Sequence, residues 1–377
     1  MELSLSGDQQ LFRDTCRRAL EQYAPMSRVR ELIDDPVGFD RSAWSKGGEL
    51  GWYATLVPEE HGGGSVSGDG LVDLCIVAEE LGHYLHPGPF LATNIVAFAL
   101  AESGSKELCE EHLPGLVSGE TIGTWAFAEG DQRWSATSVQ LTARPADGGY
   151  VLGGVKSFVH DAQAADIFLV TARSAEGLCQ MVVPAAAPGV TVHPLDSLDL
   201  ARRMGEVTFS GVEVPAAAVV GNQVDAHAAI ERQLQVAMVV HCAESNGVTD
   251  AGFAMTLQYT KDRVAFGRPI GSYQALKHRM ADHRMWLEGS FATTAYAARA
   301  VGRRQEDAAL AARVAKAHVG KWSSVVLHDC LQLHGGIGMT WEHDIHLYFR
   351  RAISNEALYG TPDEHCRSLV DIVEGAA

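Results

Sequence analysis

Leu331-Gln332-Leu333-His334-Gly335-Gly336-Ile337-Gly338-Met339-Thr340-Trp341-Glu342, continuing through Arg350-Arg351 to Leu358-Tyr359-Gly360-Thr361, is the stretch around which the chain is organised. A helical pattern runs from Ala308 to Leu333 and stops at the glycines. Bare backbone N–H groups gathered there suit a phosphate or pyrophosphate. The same glycines also read as a helix C-cap followed by a loop. A second stretch upstream, Arg263-Val264-Ala265-Phe266-Gly267-Arg268-Pro269-Ile270-Gly271-Ser272-Tyr273-Gln274, bears on that choice.

Bulk properties narrow the field. At 377 residues the chain is long for one hydrophobic core, so two or three packed domains are expected. With 30 Lys+Arg against 47 Asp+Glu the net charge is −17, which argues against nucleic acid as the main partner. Any phosphate-bearing ligand must be met by local cations or backbone dipoles. The seven cysteines are scattered with no CxxC spacing, so neither a metal site nor a disulfide framework is expected, and a reducing cytoplasm fits. Met1-Glu2-Leu3-Ser4 does not open a signal peptide, and no apolar run is long enough to suggest a membrane span.

Read in order, the pattern changes period twice. From Gly7 to Tyr23 the apolar residues Leu11, Phe12, Cys16 and Leu20 recur at helical spacing. Further helical readings follow over Trp44–Trp52 and the apolar Leu71–Leu85 and Leu91–Ala101, with a glycine loop at Glu59–Ser65. After Thr121 short β-rich runs appear at Val139–Thr142, Tyr150–Leu152, Phe168–Thr171, Met181–Val183 and Val207–Phe209, divided by Gly, Pro and Asp. From about Asp225 the chain turns helical again: to Phe266, from Tyr273 to Gly302, from Asp307 to Leu333, and from Asp344. The expected domains are 1–120, helical; 121–222, a small sheet; and 223–377, helical.

This order, the Pro58–Gly64 loop, Gly154-Val155-Lys156-Ser157-Phe158-Val159, Gly211–Pro215, Arg263–Gln274 and Gln332–Thr361 together resemble the acyl-CoA dehydrogenase family. The resemblance covers nearly the whole chain. It implies an α+β, mostly α fold: an N-terminal helical domain, a middle β-barrel and a C-terminal four-helix bundle. It further implies a tetramer, FAD, an acyl-CoA thioester substrate, and electron-transfer flavoprotein or a similar acceptor. On the ADP side of FAD it implies Arg263 at the pyrophosphate, a fork that suits phosphate oxygens. Phe266 packs the adenosine region, Gln274 and Gln332 hydrogen-bond the dinucleotide, and Gly335-Gly336 allow close backbone approach.

The chain departs from the family pattern where the chemistry belongs. Dehydrogenation between Cα and Cβ needs a base for the Cα proton and donors for the thioester oxygen. Most members carry Glu before the closing Gly-Thr; here that residue is Tyr359, whose phenol, with an ordinary pKa of about 10, stays protonated at neutral pH. Members that carry the base on the long helix place it where this chain has Ala237. Glu244 and Glu356 remain as displaced candidates. On the flavin-ring side, Ala128-Glu129-Gly130-Asp131 and Trp134-Ser135 replace the usual hydroxyl-bearing segments, and Phe158-Val159-His160 keeps the aromatic but not the hydroxyl. Thr361 is kept.

Losses on the ring half with survival of the ADP half resemble the non-catalytic subunit type of heteromeric actinobacterial members. The expectation is therefore one half of an α2β2 assembly with a homologous catalytic subunit. Two alternatives stand beside it: a homotetramer using Glu244 or Glu356 as base, and a flavin-free acyl-thioester-binding protein.

Overall fold

The computed structural model describes residues 4–130, 134–221 and 226–375. Six helices come first: α1 (Gly7–Tyr23), α2 (Met26–Ile33), α3 (Arg41–Glu49), α4 (Gly70–His83), α5 (Phe90–Ser103) and α6 (Lys106–Ser118). The start of α1 is fixed by a capping box, in which Gln9 N donates to Ser6 Oγ at 3.2 Å and Ser6 N donates to Gln9 Oε1 at 3.0 Å. Asp40 caps α3 and Ser105 caps α6 by the side-chain oxygen alone, accepting backbone N–H groups of the first turn. α5 is apolar on every side and runs through the middle of the core. The periodicity misses α2, which is a short segment, and α6, which holds Pro114 in its interior. The helical reading of Trp44–Trp52 ends early: α3 stops at Glu49, and Trp52 N turns back to Gly47 O at 3.0 Å.

The middle of the chain forms one eight-stranded sheet. Its strands are β1 (Gly123–Ala126), β2 (Thr142–Ala146), β3 (Gly149–His160), β4 (Ile167–Arg173), β5 (Leu178–Pro184), β6 (Val190–Leu195), β7 (Met204–Pro215) and β8 (Val219–Val220). They run β6-β7-β3-β2-β4-β5-β8, with β1 parallel to β4. The sheet curls around its own apolar core, so that Phe168 on β4 and Phe209 on β7, with two strands between them, meet edge to face at 6.2 Å. The expected strand at Val139–Thr142 is displaced. Only Thr142 enters β2, because the Glu129 carboxylate takes the N–H groups of Gln140 and Leu141, both at 2.9 Å. Glu129 also accepts from the fully buried Lys156 Nζ at 2.8 Å, which donates as well to Phe127 O at 2.8 Å.

The last third is helical: α7 (Ala226–Asp262), α8 (Gln274–Gly302), α9 (Ala308–His334), α10 (Ile345–Ala357) and α11 (Pro362–Gly375). The expected start at Asp225 lies outside the described residues. α7 ends at Asp262 rather than Phe266, because β9 (Val264–Ala265) and β10 (Arg268–Pro269) close a tight hairpin whose turn residues Phe266 and Gly267 both take positive φ. α7 joins the two helical ends of the chain, and glycine sets how closely. A Cβ on Gly247 of α7 would lie 1.8 Å from Glu79 O, and one on Gly82 of α4 would lie 2.1 Å from Glu244 O. Reciprocal glycines therefore let the two backbones touch, and this fixes the side chains that project from α7 on either side of the contact.

Gly247→Ala tests that contact. Alanine gains about 1 kcal/mol of helix propensity, but the clash with backbone that cannot rotate away costs more. The expected result is a net loss of about 2 kcal/mol in chemical denaturation. Gly7→Ala, where a Cβ meets nothing within 4 Å, should be close to neutral.

Candidate functional site

The residues expected on the ADP side gather at one end of the helical bundle. The Tyr259 ring near the end of α7 stacks on His334 at the end of α9, with centroids 4.5 Å apart. Arg263 and Phe266 follow the end of α7, Gln332 lies in the last turn of α9 with Gly335 and Gly336 just after it, and Gln274 opens α8. The hairpin turn presents the Phe266 ring to solvent, 96% exposed. Gly335 adopts φ 62 and ψ −142, a conformation reserved for glycine. A Cβ on Gly335 or Gly336 would meet nothing within 4 Å, so space is open over this backbone. Arg263, Gln274 and Gln332 are exposed, and among the described residues their side chains have no hydrogen-bond partner.

The three segments expected to face a flavin ring also meet, in the crevice between the sheet and α10. A register shift in β3 before Val159 lifts Phe158 into positive φ. Tyr359 also has positive φ, and its carbonyl oxygen lies 2.9 Å from the His365 ring. The Tyr359 ring is buried against Trp134 at 4.5 Å, His241 at 5.3 Å and His160 at 6.1 Å. Burial pushes its phenol well above the ordinary value. Burial also holds His160 down to about 3 and His241 well below its usual range, so both rings are neutral. Ala237 lies on α7 with no exposed surface. Phe158 lines a cavity of about 180 Å³ beside the Trp134–Tyr359 pair, with Leu195, Met204 and Leu358. Thr361 caps α11: its N–H donates to Glu364 Oε2 at 2.8 Å and its hydroxyl at 2.9 Å. Asp131 lies outside the described residues.

The two candidate bases sit in different surroundings. Glu244 receives Arg202 Nη2 on both oxygens, at 2.7 and 2.8 Å, and Arg351 Nη1 at 2.6 Å. Arg351 Nε donates to Asp199, and Arg202 Nη1 donates to Asn355 Oδ1 at 2.7 Å. Asn355 in turn donates to Ser245 Oγ at 3.0 Å, and its carbonyl oxygen accepts from the buried Lys316 Nζ at 3.0 Å. Burial pushes the Glu244 carboxyl upward, but the two guanidiniums overcome it and hold it well below the usual carboxylate range. A general base works best with a pKa near the operating pH, and this carboxylate is far from it. Beside it is a cavity of about 40 Å³, bounded by Arg202, Arg351, His160, Asp161 and His86. Glu356 is half-buried on α10, and its backbone oxygen accepts from Lys316 Nζ at 3.2 Å. Arg202, Asp199 and Asn355 carry no periodicity or motif; Arg351 stands within the stretch quoted at the outset, with nothing there to mark its partners.

Three sequence models describe segments of this chain: the N-terminal domain of acyl-CoA dehydrogenase over residues 6–120, the middle domain over 124–212 and the C-terminal domain over 227–373. Acyl-CoA dehydrogenase IpdE2 of Mycolicibacterium smegmatis is 32% identical over 97% of this chain and 98% of its own length. The ChsE4-ChsE5 complex from Mycobacterium tuberculosis superposes with TM-score 0.89 and 29% identity, covering 99% of each chain. A variant of the Tcur3481-Tcur3483 steroid ACAD superposes with TM-score 0.88 and 29% identity over 98% of each.

Replacing Glu244 with Gln leaves two buried guanidiniums opposed by Asp199 alone, and should cost about 3 kcal/mol in urea denaturation. The pH profile separates this carboxylate from the histidines. His86, His160 and His365, held by burial at about 4, 3 and 4 against a usual 6.5, bind protons more readily when unfolded, so stability falls as pH drops below 6.5. Glu244, depressed from a usual 4.5, adds stability that is complete above that value and is lost below it. Thermal melts should show both limbs in the parent protein and a shallower acid limb in Glu244→Gln, where Asp40, held down to about 2 by the Ser42 hydroxyl and Arg28, still contributes.

Proposed function

The chain belongs to the acyl-CoA dehydrogenase family, and from that premise we propose that it is the non-catalytic subunit of a heterotetramer, completing the FAD site of a homologous partner that dehydrogenates an acyl-CoA thioester. The observation that carries this reading is the Trp134–Tyr359 contact. The two rings lie 4.5 Å apart where the family's flavin-facing segments converge. A third ring between them would need about 7 Å, two contacts of about 3.5 Å each. The direct contact of the two rings supports reading the ring half of a FAD site as lost between them, and no proton or hydride step is assigned to this chain.

The ADP half does fit. Arg263, Gln274 and Gln332 are exposed with free donors, Phe266 is held outward, and the Gly335-Gly336 backbone has open space over it. Arg263 would fork onto a pyrophosphate, where a guanidinium matches two oxygens at once. Gln274 and Gln332 would add neutral hydrogen bonds, and Phe266 an apolar face for the adenosine. FAD, when bound, supplies the hydride acceptor for the β-carbon; Arg263, Gln274, Gln332 and the glycines of this chain would only anchor its far end. Glu244, one of the two carboxylates a homotetramer could use as a base, is committed to Arg202 and Arg351, which leaves that reading to Glu356. The heteromeric ChsE4-ChsE5 complex among similar structures is consistent with the mixed assembly. Electrons would leave through the partner's flavin to electron-transfer flavoprotein or a similar acceptor.

Purification of the chain alone and with a co-expressed homologue bearing Glu before its closing Gly-Thr tests the reading. FAD should copurify only with the pair. Stoichiometric yellow FAD on the lone chain, bleached by acyl-CoA, would overturn the proposal in favour of the homotetramer. Absence of FAD from the pair as well would favour the flavin-free binding protein. Within the pair, Arg263→Ala should weaken FAD about tenfold, the scale of one charged hydrogen bond, and Tyr359→Phe should leave turnover nearly intact.

A further inference from the structure

A second cavity, of about 410 Å³, opens between α1, α4, α7 and α8, on the face of α7 turned away from Glu244. Its wall is part apolar, from Val72, Cys75, Ile76 and Phe291, and part charged. Most of the charges are already matched. Arg17 forks onto Glu80 at 2.8 and 3.0 Å, and Arg284 reaches Asp250 at 3.3 Å.

Three groups are not. Arg13 Nε is shielded from solvent and has no hydrogen-bond partner among the described residues. Glu79, half-buried, makes no hydrogen bond or ion pair among the described residues. Asn246 is 1% exposed, and its amide nitrogen donates to Ser290 O at 3.3 Å and Thr294 Oγ1 at 3.0 Å. A carbonyl oxygen can only accept, so Ser290 fixes which way the amide points. Asn246 Oδ1 is left without a partner at the cavity wall. Buried polar atoms are normally satisfied, and leaving one bare is costly. Burial, with Glu80 next in line, pushes the Glu79 carboxyl up to about 7, so near neutral pH it can stand beside an anion as a neutral acid.

We propose that this cavity is a binding site for a small amphipathic carboxylate that also carries a hydrogen-bond donor. The carboxylate meets the unpartnered Arg13 guanidinium, a hydroxyl or amide N–H meets Asn246 Oδ1, and the apolar body lies along Val72, Cys75, Ile76 and Phe291. The cavity volume falls within the range of small-molecule sites, with apolar walls and a few convergent polar groups. The site is separate from the FAD grip and from the Trp134–Tyr359 crevice, and α7 stands between it and the Glu244 cluster.

Isothermal titration calorimetry of the full chain with 3-hydroxydecanoate tests this, with decanoate as the probe lacking the hydroxyl donor. Saturable binding at one site per chain is expected, weakened about tenfold or more in Arg13→Gln by loss of a charge-assisted contact. Decanoate should bind several-fold more weakly, and Ile76→Trp, which fills the cavity, should abolish binding. Absence of saturable heat overturns the proposal. So does binding undiminished in Arg13→Gln, whatever Ile76→Trp does; Arg13 is a half-buried position at which the fold should tolerate glutamine.

Discussion

Two carboxylates, Asp199 and Glu244, and two guanidiniums, Arg202 and Arg351, are buried together where the sheet meets the C-terminal helices. Taking four charges out of water costs several kcal/mol each unless every one is paired and its remaining hydrogen-bonding positions are filled. The geometry meets that condition only if the Asp199–Arg202 segment before β7, α7 and α10 are all in register. Asn355 and Ser245 extend the network, and Lys316 fastens the carbonyl end of α10 to α9. A displacement of one helix by one turn would leave ions unpaired in the interior.

That constraint reaches the crevice where a flavin ring would be expected. With α10 held against α7, the segment that follows it delivers Tyr359 into the space between the sheet and the bundle. There the phenol ring packs on Trp134 and against two neutral histidines. The other end of the bundle has the opposite character. Phe266, Ile337, Met339 and Trp341 stay exposed beside Arg263 and the glycines. Exposed apolar residues around unsatisfied donors mark a surface meant to be covered. One chain thus carries an open grip at one end of its bundle and a filled crevice at the other, in keeping with a subunit that lends contacts to a neighbour's cofactor.

Much of this was legible in the residues. Long helices such as α8 and α9 announce themselves by period, and the change to β-rich runs after Thr121 marks the sheet. The absence of Glu at Tyr359 and the presence of Trp134 are visible letter by letter. The boundaries went astray where side chains competed with backbone. Glu129 takes the N–H groups that a strand at Val139–Leu141 would have used, and the Phe266-Gly267 turn cuts α7 short. α6 escaped notice because Pro114 interrupts its signal.

Glu244 shows most sharply where reading the sequence stops. As a letter on a helix it is an available carboxylate; in the fold it is the anchor of Arg202 and Arg351, which lie 42 and 107 residues away. Asn246, two residues on, is an ordinary polar residue until α8 claims its nitrogen and leaves its oxygen facing a cavity. The sequence by itself determined the order of helix, sheet and helix and the letters at each position, Tyr359 before the closing Gly-Thr among them, because these rest on local period and on residue identity. Only the tertiary structure decided which charges are spent on one another and which stay free. A charge or amide acquires its role from partners brought near by the packing of distant elements, and no local pattern encodes that distance.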